Sequence, residues 1–258
     1  MKIAILYIAL GKYDVFWKDF YLSAEMHFIK SIKKDYYIFT DAQHIYKEDA
    51  DNVKKIPQEN LGWPGNTLFR FNIFLNMESE LEKYDYIFFF NANYIFVKDI
   101  DVDFLPINKL LVVQHPGYYN KRVNKYPYEK NPNSLAYVSN KEKKTYVQGC
   151  LEGGSKKEFI NLIRDLAGNI KNDYSNGIIA KWHDESHLNK YICSHEYKLM
   201  HPGYAYPEGW EIPYPMEIMT RDKRKIASYD VLRGTNSKGG KAILKKIKIR
   251  LIDIMEHF

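Results

Sequence analysis

The sequence predicts one α/β domain with a mixed, mostly parallel sheet flanked by helices, and three observations predict it. Its 258 residues suit a single α/β domain of ordinary size. Apolar runs and segments of helical period alternate along roughly the first 170 residues, as strands joined by crossover helices do. Hydrophobic residues make up 45% of the chain and aromatics 16%, enough for a substantial core. No stretch approaches the roughly 20 uninterrupted apolar residues of a membrane-spanning helix.

The elements follow in order. Lys2 to Ala9 is an apolar run and reads as the first strand. From Asp14, Phe16, Phe20, Ala24, Met26 and Ile29 recur near a 3.6 period, which predicts a helix. Tyr36 to Thr40 returns as a strand. After the turn residues Gly62-Trp63-Pro64-Gly65, a helix is expected from Asn66, with Leu68, Phe71, Ile73, Phe74, Leu75 and Leu81 facing the sheet. Tyr86 to Phe90 is apolar throughout, as a strand covered on both faces must be. Leu110 to Val113 and Val147 to Leu151 are further strands, and Ser155 to Ile170 is a helix. Between them, His115 to Lys144 interleaves tyrosines with Lys, Asn and Pro and reads as an ordered loop beside a site.

Charge and cysteine content narrow the class. The chain carries 38 Lys and Arg against 32 Asp and Glu, a formal charge of +6. That balance permits nucleic acid, but no recognised nucleic-acid motif is present and no nucleic-acid partner is expected. Cys150 and Cys193 have no paired-cysteine spacing around them, which excludes a disulfide framework and a zinc ribbon. With no export signal after Met1, the expectation is a reducing, cytoplasmic location.

Two segments carry candidate chemistry. Asn91-Ala92-Asn93 follows a buried strand, at the carboxyl edge where open α/β sheets bind ligands; a plain turn explains asparagine there equally well. Trp182-His183-Asp184-Glu185-Ser186-His187 concentrates an indole, two imidazoles and two carboxylates at the start of a helix. Capping by Asp184 and Glu185 accounts for the acids and leaves Trp182 and His183 unexplained. His183 and His187, four apart, suggest a metal pair, but the zinc-peptidase pattern requires Glu where Asp184 stands. Gly234 to Lys241 is out of register for a phosphate loop, no Gly-x-Ser-x-Gly elbow exists, and the dinucleotide turn Gly-x-Gly-x-x-Gly is absent after the first strand.

Taken in order, these motifs resemble the retaining α-1,3-galactosyl and N-acetylgalactosaminyl transferases, the family of the blood-group A and B enzymes and shorter bacterial relatives. Trp182 to Tyr191 is the most specific piece. Tyr36 to Asp41, His115-Pro116-Gly117-Tyr118-Tyr119 and Tyr206-Pro207-Glu208-Gly209-Trp210 support it. The resemblance runs from about Lys2 to Lys225. It implies the GT-A nucleotide-sugar-binding fold, a UDP-sugar donor, a galactoside acceptor that carries fucose in some relatives, and transfer to the 3-OH with retention.

The resemblance also implies roles. Glu185 falls at the catalytic carboxylate. Ala9 and Tyr13 match the uridine pocket, Arg70 a donor-facing arginine, Asp184 a donor-sugar contact and Lys223 a lysine near the phosphates. His115, Gly117, Trp182 and His183 match acceptor positions; Pro127 departs from the threonine of relatives. Gln148, Gly149 and Cys150 align with the segment that sets donor choice. There relatives carry glycine or alanine at the place of Cys150, so the larger thiol predicts galactose over N-acetylgalactosamine; an ordinary small buried residue is the plainer reading. Asn91-Ala92-Asn93 stands where mammalian members have Asp-x-Asp, so no metal cofactor is expected. A catalytically silent nucleotide-sugar or glycan-binding protein on the same fold is the alternative.

The expected catalytic domain covers 1–235, and 236–258 forms a basic tail. Ile243, Ile247, Leu251, Ile254 and Phe258 recur at helical spacing among five cations. That pattern suits peripheral contact with the inner face of a membrane, or a helix docked on its own domain.

Overall fold

A computed structural model describes residues 1–142 and 144–233. The predicted tail, and the stretch from Gly234, lie outside the described residues. Strand β1 (Lys2–Ala9) is buried on both faces: Ile3, Ile5, Tyr7 and Ala9 join one apolar layer, Ala4 and Leu6 the other. Helix α1 (Trp17–His27) covers the first layer through Trp17, Phe20 and Ala24. It begins later than its periodicity suggests, because Tyr13–Phe16 forms a separate 3-10 turn. Met26 is 63% exposed, and Ile29 lies past the helix end with φ 42°. Strands β2 (Lys33–Thr40) and β3 (Val53–Pro57) then extend the sheet in parallel.

The helix expected from Asn66 to Leu81 is broken into α2 (Gly62–Leu68), α3 (Arg70–Leu75) and α4 (Glu78–Leu81). The break after Leu68 puts Arg70 at the first position of α3, while Phe71, Ile73 and Phe74 pack on the sheet. Strand β4 (Tyr86–Phe90) matches its predicted bounds, and β5 (Tyr94–Phe96) leaves the sheet. Strand β6 (Leu110–Gln114) precedes the tyrosine-rich segment, in which Tyr126, Tyr128, Val138 and Tyr146 form a small core. Strand β7 (Val147–Ser155) runs four residues beyond the predicted Leu151, and helix α5 (Lys156–Ser175) five beyond Ile170.

Helix α6 (His183–Tyr191) leads to β8 (Tyr197–Met200), the short strands β9 (Tyr206–Pro207) and β10 (Ile218–Thr220), and α7 (Tyr229–Arg233). The main sheet has the order β3-β2-β1-β4-β7-β6-β8, and β5, β10 and β9 make a second, three-stranded sheet. Strand β7 alone is antiparallel to both neighbours, which reverses its direction in a sheet that is otherwise parallel. Gly153 permits that packing: a Cβ there would lie 2.0 Å from Phe88 Cδ1.

The result is an α/β domain with helices on both faces of the sheet, the architecture of a GT-A-type fold. Among the described residues no helix is long and apolar enough to cross a membrane. Both cysteines are free.

Candidate active site

The carboxyl ends of β1 and β4 meet the start of β7 and the first turn of α6 at a cavity of about 300 Å³. Asn189, fully buried on α6, fastens that helix to β7. Its Oδ1 accepts from Val147 N at 3.0 Å, and its Nδ2 donates to Val147 O at 2.8 Å. This clamp brings Glu185 to the cavity wall. Tyr146 Oη donates to Glu185 Oε1 at 2.6 Å, and Gly149 N donates to Oε2 at 2.9 Å. Burial pushes the Glu185 carboxyl above its ordinary value, opposed by these two hydrogen bonds, which favour the anion.

Asp184 points the other way, into a buried ion-pair cluster. Arg70 Nη2 lies 2.9 Å from Asp184 Oδ2 and 2.8 Å from Glu152 Oε1, while Nη1 donates to Gly149 O. Burial pushes Asp184 up to about 6, against the pull of Arg70. Trp182, the N-cap residue, caps nothing with its own side chain, and Ser186 Oγ accepts from Trp182 N at 3.0 Å. His183 sits at φ 51° with its ring against Trp63, and Trp182 is 45% exposed at the cavity rim. The two histidines diverge, for His187 is buried against α5, its Nε2 3.6 Å from Asp173 Oδ2. Among the described residues no three His, Cys, Asp or Glu side chains could hold one ion.

The basic run near the end of the described chain is divided by pairing. Arg221 bonds Asp19, Arg224 bonds Asp222 and Lys225 bonds Glu208. Lys223 instead lines the cavity, its Nζ 5.0 Å from the centre of the Tyr13 ring. Enclosure lowers its affinity for a proton. Arg233 joins it from α7, stacked on Trp63 and Tyr229. That helix is anchored by Lys12 N donating to Leu232 O at 3.0 Å.

Tyr13, Arg70, Asn91, Gly149, Cys150, Trp182, His183, Asp184, Glu185 and Lys223 all line this one cavity. Other expected positions do not. Ala9 lies in the core and its carbonyl accepts from Thr40; Ile8 and Leu10 face the cavity instead. Ala92 is buried with its carbonyl on Tyr7, and Asn93 spends its amide on Arg221 O. Gln148 is buried and donates to Tyr94 Oη at 2.7 Å. Strand alternation accounts for Ala9 and Gln148, whose neighbours Ile8 and Gly149 face the cavity, whereas Ala92 and Asn93 lie in the turn between β4 and β5. His115 and Gly117 also lie outside the cavity: His115 packs on Tyr118 and Tyr146, and its Nδ1 accepts from Gly117 N. Burial lowers His115 to about 4.

Sequence reasoning passed over Tyr146, Glu152, Trp63, Tyr229 and Arg233. Glu152 lay just past the predicted strand end at Leu151, so nothing in the sequence marked it as buried.

A sequence model described as glycosyltransferase family 6 matches residues 1–233. The chain belongs to glycosyltransferase family 6. It is 39% identical over 229 residues to the O-antigen biosynthesis glycosyltransferase WbnI of Escherichia coli, covering 89% of this chain and 98% of that one. It is 31% identical over 237 residues to a globoside alpha-1,3-N-acetylgalactosaminyltransferase 1 of Gallus gallus, over 84% of this chain. To a histo-blood group ABO system transferase 2 of Rattus norvegicus it is 31% identical over 233 residues, 81% of this chain. The match spans 65% of each of the two vertebrate relatives. Family 6 membership makes the chain a glycosyltransferase, and the cavity gathers most of the residues that the resemblance singled out.

Proposed function

We propose that this glycosyltransferase moves a hexosyl group from a UDP-sugar to the 3-OH of a galactoside with retention of configuration, and does so without a divalent metal. The carrying observation is the Glu185 carboxylate, fixed by Tyr146 and Gly149 in the wall of a cavity that also holds Lys223 and Arg233. Breaking a sugar–phosphate bond leaves positive charge at the anomeric carbon and negative charge on the diphosphate. Glu185 supplies the anion for the first. Lys223 and Arg233 supply cations for the second.

The donor set argues for cations rather than a metal. A hard dication wants several anionic oxygens. Asn91 and Asn93 offer only neutral amide oxygens, and Asp184 is paired with Arg70. Galactose is the preferred donor sugar, because Cys150 occupies the cavity wall and Gln148, bonded to Tyr94, does not line the cavity. The acceptor galactoside enters past Trp182 and His183.

The test is a panel of UDP-sugars with plain and fucosylated galactosides, scored for product with and without excess chelator. Product that persists in chelator supports the reading, and a strict manganese requirement refutes its metal-free part. Tight UDP-sugar binding with no product from any acceptor would favour a silent binding protein. Glu185→Gln should abolish transfer while leaving donor binding intact.

A further inference from the structure

Glu152 is completely buried in β7 and does not line the cavity, yet it touches the residue that organises the cavity floor. Its cross-strand neighbours, Phe89 on β4 and Val112 on β6, are apolar. The charged groups that reach it come from two helices: Arg70 of α3 at 2.8 Å, with Asp184 and Glu185 of α6 beyond. Arg70 in turn lies over the Phe89 and Phe71 rings and is 3% exposed. One guanidinium is thus shared between a carboxylate on the core side and a carboxylate at the cavity. Neither ion-pair contact is an aligned hydrogen bond, since Arg70 Nη2 and both Glu152 oxygens lack a well-directed partner.

We infer that Glu152 is a positioning residue for the transfer step, holding Arg70 from behind so that the guanidinium fixes Asp184 and the Gly149 carbonyl, and through Gly149 the hydrogen bond to Glu185. This inference rests on the donor reading above. A buried guanidinium with no acceptor oxygen behind it would swing toward Asp184 and away from the Gly149 carbonyl. With the Glu152 oxygen behind it, the guanidinium is held between Glu152 and Asp184. The balance depends on charge as well as shape. Burial pushes Glu152 up to about 7, so below neutrality it carries the proton and Arg70 pairs chiefly with Asp184. When Glu152 ionises at higher pH, it competes for Arg70 and loosens Asp184.

Two variants separate positioning from mere packing. Glu152→Gln keeps the shape and an acceptor oxygen; Glu152→Leu removes the acceptor. Each is assayed with the best UDP-sugar and galactoside across pH 5 to 9, with circular dichroism to establish folding. Glu152→Leu should lower kcat by about tenfold or more. Glu152→Gln should restore most of it, and the fall in activity expected for wild type above about pH 7 should move to higher pH in this variant. A folded Glu152→Leu with wild-type kcat overturns the inference, and so does an alkaline limb that Glu152→Gln leaves in place. Should Glu152→Leu fail to fold, the limb of Glu152→Gln decides alone. A wild type inert with every UDP-sugar refutes the donor reading and this inference with it; an active wild type with unaltered variants refutes this inference only.

Discussion

Tyr146 donates its hydroxyl hydrogen to Glu185 Oε1 at 2.6 Å, joining the tyrosine-rich segment to the carboxylate at the cavity wall. The segment is ordered by its own aromatic packing: Tyr146 lies 5.3 Å from Tyr118 and 5.4 Å from Tyr128, ring centre to ring centre. It is also pinned at a distance. Glu129 Oε2 accepts from Lys181 N, and Asp173 accepts from Ser134 Oγ and Leu135 N. The loop thereby reaches α6 and α5, and a change in its packing is felt at Glu185.

Tyr146→Phe removes one of the two hydrogen bonds that favour ionised Glu185. A hydrogen bond to a charged group contributes roughly 1.5–3 kcal/mol. The Glu185 carboxyl therefore binds its proton more tightly, and the acid limb of the kcat/KM–pH profile moves to higher pH. A pH profile of the variant checks this, and an unmoved limb would show that Tyr146 does not tune the carboxylate.

Lys223→Ala should raise the KM for a UDP-sugar by about tenfold or more, as loss of a cation from an enclosed anion site does. Arg224→Ala should leave it nearly unchanged, because Arg224 is exposed and already paired with Asp222. Isothermal titration with UDP compares the two. Equal losses in both variants would mean that the run acts as a diffuse charge.

Cys150→Gly should move donor choice toward UDP-N-acetylgalactosamine. The thiol lines the cavity, and Asn91 Nδ2 lies 3.6 Å from its Sγ. Overpacking of an acetamido group against it costs roughly 1–3 kcal/mol, or about 10- to 200-fold in kcat/KM. Wild type and variant are compared with both donors. A wild type that already prefers the acetamido sugar contradicts the volume argument. Burial pushes the thiol up to about 11, so it is neutral near pH 7 and slow to react with iodoacetamide.

His187 should make the fold acid-sensitive. Burial lowers it to about 4, below the 6.5 of an unfolded chain, so the unfolded state binds the extra proton between those values. Stability then falls as pH drops from about 6.5 to 4, by about 1–3 kcal/mol from this group. His187→Gln should flatten that fall in a Tm-against-pH series.

The sequence by itself determined the α/β class and the order of the long elements, because burial on both faces leaves continuous apolar runs such as Tyr86–Phe90. It did not reveal β3, β8 or the strands of the small sheet. Edge strands such as Val53–Pro57 tolerate lysine and proline, and strands of two or three residues carry no period. Most of the candidate site was also legible, since Asp184, Glu185 and the cavity-lining Lys223 stand in motifs. Which residue within a motif faces the cavity was decided by tertiary structure alone. Asn91 faces it while Asn93 does not, and Lys223 is turned into it while Arg221, Arg224 and Lys225 find carboxylates elsewhere. The physical reason is that pairing and burial are settled by partners far away in sequence. Asp19 is 202 positions from Arg221. Arg70 meets Glu152 and Asp184 only because the β7 strand and α6 are clamped together by Asn189.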